Sequence, residues 1–596
     1  MAAQVDNSIQ IVDTNEEVQC ENGDGRQNMS KKKIVIFDVD ERPHWYLAIV
    51  LGFQHFLTFF GSGFTLPLLL AGPLCMDQDQ LAVSQLMSTA FFIEGIITLL
   101  QVTFGVRLPV VQGGSIAFLV PTFTLLNTRD ECQVSITQNS TKADMDNYTD
   151  VWQIRMRKVQ GAIIGASFLQ ILIGFTGIIG FLLKFIGPVT VAPVVALVGL
   201  GVVAPAAAMA GQHWGIASLT IVLILLFSQF LGKVEIPLLE WKRGKCGIAG
   251  KTPIFRMFPI VLGTLLTWLI AIIFTTSGVF PESPSTYGYA ARTDLKSYAI
   301  EEASWFYIPY PGQWGLPIIT LAGVLGMFSA VIASVIESIG DYYATARVAG
   351  APPPPPHAVN RGIGMEGLGC ILAGLWGTAN GTTTFSQNAG LVGLTRVGSR
   401  VVVQICALIM IVVGMLGKVT ALFSSIPVPI VGGILCILFG TVLAVGLSNL
   451  QYVDLNSPRN LLIIGFSLIM GMLIPYWAGN NRELIETGIL ELDQVIVVLL
   501  TTGMFIGGLL AFIMDNIIPG TIEERGLVAF SRQYKEDDDE INSLDVYDLP
   551  FGMTLLRQLK WTQYIPFSPT YARKRIIVDE KDGYNVGTVE TNENGV

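Results

Sequence analysis

An all-α polytopic membrane fold of about fourteen transmembrane segments, arranged as two inverted repeats of about seven, is what this sequence predicts. Three observations predict it. Apolar residues make up 51% of the 596-residue chain and charged residues only 14%, a balance that ordinary soluble domains do not show. Apolar stretches of roughly 17–25 residues recur about fourteen times. Two short, polar, Gly-interrupted stretches also fall third in each half, the pattern that marks the binding site of an inverted-repeat transporter.

In chain order, residues 1–43 are polar and hold no apolar run, which predicts a disordered tail without a cleavable signal peptide. Residues 44–520 form the transmembrane domain. Its first half centres spans near Phe56, Phe92, Phe118, Leu169, Ala196, Leu223 and Leu265; its second near Phe328, Leu372, Gly390, Ile409, Leu435, Ser467 and Met504. An even number of spans puts both tails on one side. Arg107, Lys242, Arg243, Arg347, Arg361, Arg396, Arg400 and Arg459 collect in the loops of that side, so both tails are expected to be cytoplasmic in a multi-pass plasma-membrane protein.

The opposite loops agree with this orientation. Asn139-Ser-Thr and Asn147-Tyr-Thr are two glycosylation sequons in the loop after the third span, which must be extracellular to be used. Cys75 and Cys132 both fall in loops on that outer side and are the expected disulfide; Cys370, Cys406 and Cys436 lie in spans as small packing residues. Pro352 to Pro356 is read as a stiff cytoplasmic spacer. Residues 521–596, with an acidic run from Glu536 to Glu540, are read as a cytoplasmic regulatory or trafficking tail with no catalytic domain. The net charge of −10 reflects acidic tails and outer loops, and no basic patch for nucleic acid appears.

Chemistry concentrates between Val331 and Arg400. Glu337 and Asp341 stand four residues apart in an apolar segment, so a helix projects both carboxylates from one face. An acidic residue at mid-membrane costs about 2.5–3.5 kcal/mol on insertion scales, so such a pair is expected to be buried, solvated or engaged with a solute. The later run Gly381, Thr382, Thr383, Thr384, Phe385, Ser386, Gln387, Asn388 is too polar for a lipid-facing helix. It predicts broken backbone inside the protein, with N–H groups and the Gln387 carboxamide turned to a solute. The equivalent third span places Gln112, Ser115, Ile116 and Phe118 opposite Ser386, Gln387 and Asn388. His55, in the polar Gln54-His55 insertion of the first span, is a hydrogen-bonded packing residue in the commoner case and a proton carrier in the other. No nucleophile–base pair or metal cluster stands out, so neither an enzyme nor a bound cofactor is expected.

At these residues the chain resembles the nucleobase–ascorbate transporter family (solute carrier family 23). The resemblance spans nearly all of residues 42–565. It is carried by Gln54-His55, by Glu337-Ser338-Ile339-Gly340-Asp341, and by Gln387-Asn388-Ala389-Gly390 followed by Thr395-Arg396. It implies a core of spans 1–4 and 8–11, a gate of spans 5–7 and 12–14, an elevator-type movement and a homodimer. GAPPPPPHAVNRG and AVGLSNLQYVDLNSPRN are similar to the animal sodium-coupled branch of the family. That branch's vitamin C carriers have a proline where this chain has Gln387, and a proline side chain neither donates nor accepts. The resemblance therefore implies sodium-coupled nucleobase uptake first, ascorbate uptake second, and a proton in place of sodium third. An anion exchanger of similar architecture would call for a cationic centre in place of Glu337.

On the preferred reading Glu337 accepts from a ring N–H, Gln387 reads the neighbouring C=O and N–H, and Phe118 or Phe385 covers a ring face. Asp341 and Ser115, with exposed carbonyls, are the expected sodium ligands. Asn388 shapes the broken segment. Glu366 resembles a family carboxylate that is structural or coupling, and Arg396 is a pivot or an inside anchor.

Overall fold

The computed structural model describes residues 37–76, 79–126, 142–179, 185–242, 245–526 and 545–571. The chain is mostly helical. The first group of helices is α1 (Trp45–Gly63), α2 (Thr65–Ala71), α3 (Gln80–Thr103), α4 (Leu119–Leu126), α5 (Lys142–Thr176), α6 (Pro188–Gly201), α7 (Val203–Gly211), α8 (Trp214–Leu225) and α9 (Pro259–Thr276). The second is α10 (Leu321–Val348), α11 (Pro356–Trp376), α12 (Ser386–Thr395), α13 (Arg400–Met415), α14 (Gly417–Ser424), α15 (Val428–Ser448), α16 (Pro458–Asn480), α17 (Leu490–Thr501) and α18 (Gly503–Ile517).

Helix starts follow local chemistry. Asp79 caps α3 by accepting the Ala82 N–H at 2.9 Å, and Thr320 caps α10 through the Gly323 N–H at 3.2 Å. Prolines open α6, α9, α11 and α16, where the missing N–H costs nothing. The last proline of the 352–356 run thus begins a helix. The four before it make the short extended link from α10.

Among the described residues, eight helices are long and apolar enough to cross a membrane, or nine when α17 and α18, bent by 78°, are taken as one span. The remaining predicted stretches fall on shorter apolar helices (Ile116–Leu126, Trp214–Phe230, Arg400–Met415), on α11 and on α12. Asn360, Arg361 and Glu366 make α11 too polar to pass a test of length and hydropathy, because this helix is held by protein on almost every side.

The expectation of an all-α fold needs one correction. Four short strands are present: β1 (Gln112–Gly114), β2 (Ile236–Lys242), β3 (Lys245–Thr252) and β4 (Thr382–Thr384). β2 and β3 form a hairpin between α8 and α9. β1 and β4 pair antiparallel with Gln112 opposite Thr384, Gly113 opposite Thr383 and Gly114 opposite Thr382. Bonds from Ser115 N to Gly381 O and from Phe385 N to Val111 O, both 2.9 Å, extend the pairing at its two ends. Unwound backbone inside an apolar bundle must find partners, and here the two unwound stretches satisfy each other.

Packing sorts the helices into two sets. α1, α3, α5, α10, α11 and α13 pack on one another, with β1, β4 and α12 among them; α6, α7, α8, α9, α15, α16 and α18 form the other set. In the second set the fully buried Asp515 of α18 binds Arg459 at the start of α16 and Arg525, each at 3.0 Å. At one end of the first set, buried arginines gather both chain ends. Arg400 bonds Asp40, the Arg107 carbonyl and the Val546 carbonyl, while Arg361 donates to Gly105 O and Tyr547 O, each at 2.7 Å. The Tyr547 ring is wholly buried and its hydroxyl bonds the Pro352 carbonyl.

Candidate functional site

The β1–β4 pair positions the chemistry. Because the strands are antiparallel, the helical segments that follow them, Ile116 into α4 and Ser386 into α12, run away from the pair in opposite directions. Both N-terminal ends therefore face the pair, and neither carries a side-chain cap. Uncapped N-termini leave backbone N–H groups and the positive end of each helix dipole available to a solute.

Asp341 meets this centre directly. The Ser386 hydroxyl, at the first position of α12, donates to Asp341 Oδ2 at 2.9 Å, and Asp341 is only 9% exposed. Glu337, one turn earlier on α10, is half-buried, with no hydrogen-bond partner among the described residues.

The neighbouring face of α10 does different work. Ser338 and Tyr342, also four residues apart, both donate at 2.7 Å to the carboxylate of Glu366 on α11. Thr384 Oγ1 donates to it at 2.7 Å and Gln112 Nε2 at 3.2 Å. Glu366 is thus a fully buried carboxylate with four donors, drawn from β1, β4 and α10. Two further bonds extend the network: Ser338 Oγ lies 2.8 Å from Thr383 Oγ1, and Gln101 Nε2 donates to Tyr342 OH at 2.6 Å. Charge-assisted bonds in so dry a place are strong, and they lock the strand pair to α10 and α11.

Other expected residues divide. Asn388 Nδ2 donates to the His55 carbonyl at 3.0 Å and lies 3.3 Å from His55 Nδ1, so both residues tie α12 to α1 from buried positions. Gln387 instead lines a cavity of about 260 Å³ with Leu57 and Thr58 of α1, Met257, Pro259 and Gly390. Phe118 is fully buried with its ring against Gly381, and Phe385 packs edge-on to Phe59 at 5.5 Å. Both rings therefore act as walls behind the unwound stretches. Ile116 is half-buried, and the Ser115 hydroxyl is buried without a partner. Arg396 ends α12 in the left-handed region, at φ 57°. Cys132 and Asn139 lie outside the described residues, Cys75 lies in the turn after α2, and Asn147 falls within α5.

A larger cavity, about 1030 Å³, is elsewhere. It lies between the two helix sets, lined on one side by Leu69 of α2 and Val120 and Phe123 of α4, short helices that pack mainly on the first set, and on the other by Leu200, Val431 and Met472 of the second set. It is mostly apolar, so we place recognition at the unwound stretches and read this space as room between the sets. Among the described residues, no group of three or more His, Cys, Asp or Glu residues could hold a metal. A small cation would have to rely on carbonyl, hydroxyl and single carboxylate oxygens.

Sequence reasoning missed Ser338, Tyr342, Gln101 and Glu94. Glu94 had a signal: it is a lone acid in the middle of an apolar span, the same feature that drew attention to Glu337.

Comparison with known proteins adds the following. The model of a family described as "Permease family" matches residues 47–479. The chain is 48% identical to human solute carrier family 23 member 2 over 90% of its own length and 83% of that protein. It is 47% identical to rat solute carrier family 23 member 1, with 94% of each chain covered. It is 38% identical to nucleobase-ascorbate transporter 1 of Arabidopsis thaliana, over 86% of this chain and 95% of the other.

Proposed function

This chain belongs to the nucleobase–ascorbate transporter family, solute carrier family 23, as a multi-pass membrane transporter and not an enzyme, and from that premise we propose that it takes up nucleobases together with sodium. The bases in question are of the uracil, thymine, xanthine, hypoxanthine and guanine class. The observation that carries the reading is Gln387. It sits on the uncapped first turn of α12, next to the serine that bonds Asp341, and lines a cavity. A carboxamide both donates and accepts, which matches the adjacent C=O and N–H groups of a base. Glu337, without a protein donor among the described residues, supplies an acceptor for a ring N–H. A site built on such pairings rejects solutes that leave them unmade.

Sodium would lie by Asp341, with Ser115 and backbone carbonyls completing an oxygen shell. Movement would be of the elevator type, the set holding β1, β4 and α12 sliding against the other; both cavities lie along the boundary between the sets. The apolar windows of α9 and α16 are only 22% and 28% buried. Those faces suit lipid and a second copy of the chain in a homodimer. The remaining spans follow the fourteen-segment inverted-repeat plan, with both tails cytoplasmic at the plasma membrane.

Ascorbate is the second reading, favoured by the chain-wide likeness and by an Arabidopsis relative whose name joins the two substrates. Uptake of labelled uracil, xanthine and ascorbate into cells expressing the chain, in sodium and in choline buffer at two external pH values, tests the proposal. Base uptake that collapses in choline supports it. Ascorbate uptake alone would replace the substrate, and choline-insensitive uptake that rises with external acidity would replace sodium with a proton.

A further inference from the structure

Outside the network of Glu366, α3 carries a second buried carboxylate whose needs the protein leaves open. Glu94 is 4% exposed and accepts the Gly114 N–H, while its Oε2 is buried with no partner among the described residues. Asn380, also 4% exposed, ends the turn that leads into β4, and neither its Oδ1 nor its Nδ2 has a partner among the described residues.

These groups converge on one point. A Cβ built on Gly114 would lie 2.9 Å from Asn380 Nδ2 and 3.3 Å from Glu94 Oε1. The amide and the carboxylate therefore close over the bare face of the same glycine, with Leu66 Cδ1 walling the third side at 2.8 Å. Turning the amide end for end presents its oxygen without changing its shape.

A buried ionised carboxylate needs a counter-charge or, like Glu366, a full set of donors; among the described residues Glu94 accepts the Gly114 N–H and forms no ion pair with a Lys, Arg or His. A water would fill hydrogen bonds but leave the charge. A protonated acid would remove the charge and could donate to the amide oxygen, an arrangement that predicts no sodium dependence at this site. A small monovalent cation answers both requirements, taking the carboxylate, the amide oxygen and nearby carbonyls.

We propose that Glu94 and Asn380 hold a sodium ion, in a site distinct from the one around Asp341; the proposal rests on the sodium-coupled reading above. The two sites fall at opposite ends of the strand pair. Gly114 pairs with Thr382, whereas Ser386, the partner of Asp341, follows the end where Gln112 pairs with Thr384. Thr98, one turn beyond Glu94 on α3, bonds the Gln112 backbone at 2.9 Å. A cation on Glu94 would therefore pin α3 to both unwound stretches and set their shape before substrate arrives.

The test is the sodium dependence of the melting temperature of the purified full-length protein, with choline holding ionic strength. The variants are Asp341→Asn, the double variant Asp341→Asn with Glu94→Gln, and Asp341→Asn with Asn380→Ala. Asp341→Asn is expected to keep a sodium-dependent rise, and each second substitution to raise the half-saturating sodium by about tenfold or more. Asn380→Ala keeps the charge and serves where Glu94→Gln does not fold. Coincident titrations for Asp341→Asn and the double variants would overturn the Glu94 site. Loss of the whole effect in Asp341→Asn alone would also overturn it while leaving coupling at Asp341 intact. A wild-type protein equally stable in sodium and choline would overturn both sites.

Discussion

Glu366 shows how far a single side chain can organise this centre. Four donors from three elements converge on its two oxygens. Truncating one partner of such a network strands the others in a dry interior, where each unmatched polar group costs about 1–3 kcal/mol. Glu366→Ala is accordingly expected to destabilise the protein by about 3–5 kcal/mol, since several hydroxyl and amide donors lose their acceptor together, and to lower the melting temperature and the amount of folded protein. Glu366→Gln keeps the shape and part of the bonding and should fall between. Melting curves of the three proteins in detergent check this, and a Glu366→Ala protein as stable as wild type would show the network to be incidental. Glu337 and Asp341 were legible in the sequence because acids inside an apolar run have few bland explanations. Ser338 and Tyr342 were not, since a serine and a tyrosine in a membrane helix are ordinary; only the fold shows that the face beside the acidic pair serves Glu366. Gln387 was legible as an amide near the site, but the cavity it lines, against α1 and the start of α9, depends on how α12 is set into the bundle.

At the scale of elements, the break in the third and tenth spans was readable from polarity and glycine content, and their mutual approach from their equal place in the two halves. That the breaks would be strands was not readable. Three-residue strands carry no alternation to detect, and their partner lies about 270 residues away along the chain, a separation no local pattern reports. Close approach is what glycine contributes here. A Cβ on Gly381 would sit 2.5 Å from the Phe118 ring, and one on Gly113 would sit 2.6 Å from the Phe385 ring. Both rings are held in the core and have little room to yield. Gly381→Ala should therefore cost about 1–3 kcal/mol, as overpacking generally does, and depress uptake more than expression because it wedges the unwound stretches apart. Surface biotinylation alongside uptake separates the two; unchanged uptake per molecule at the surface would contradict the role given to the strand pair.

For the whole molecule, composition and span counting established a membrane bundle, while the sorting of helices into two packed sets emerged from tertiary contacts and, as an expectation, from resemblance. Neither predicted what happens at the tails. Residues 545–567 return to the first set: Asn360 bonds the Pro566 carbonyl at 3.0 Å, Phe567 packs on Phe175 at 4.7 Å, and Arg361 and Arg400 hold the backbone around Tyr547. Polar composition carries no sign of this docking, because the anchoring groups are backbone carbonyls, which every sequence has. Arg361→Ala removes bonds to both Gly105 O and Tyr547 O and should lower stability by about 2 kcal/mol, with proteolysis beginning near residue 545. Protease digestion of the purified variant followed by mass analysis of the fragments measures it, and an unchanged digestion pattern would show that the arginine does not hold the segment.

All of these scales meet in the claim that the centre between the strand pair and α10 reads a base through Gln387. The measurement that tests it most directly is uptake of labelled uracil, xanthine and ascorbate by wild type and Gln387→Pro, side by side in sodium buffer and corrected for protein at the surface. The account predicts that wild type carries a base and that the proline variant loses that uptake by at least about tenfold, the order expected when a hydrogen-bonded recognition pair is removed. Base uptake that survives in Gln387→Pro, or a wild-type protein that carries ascorbate alone, would contradict it.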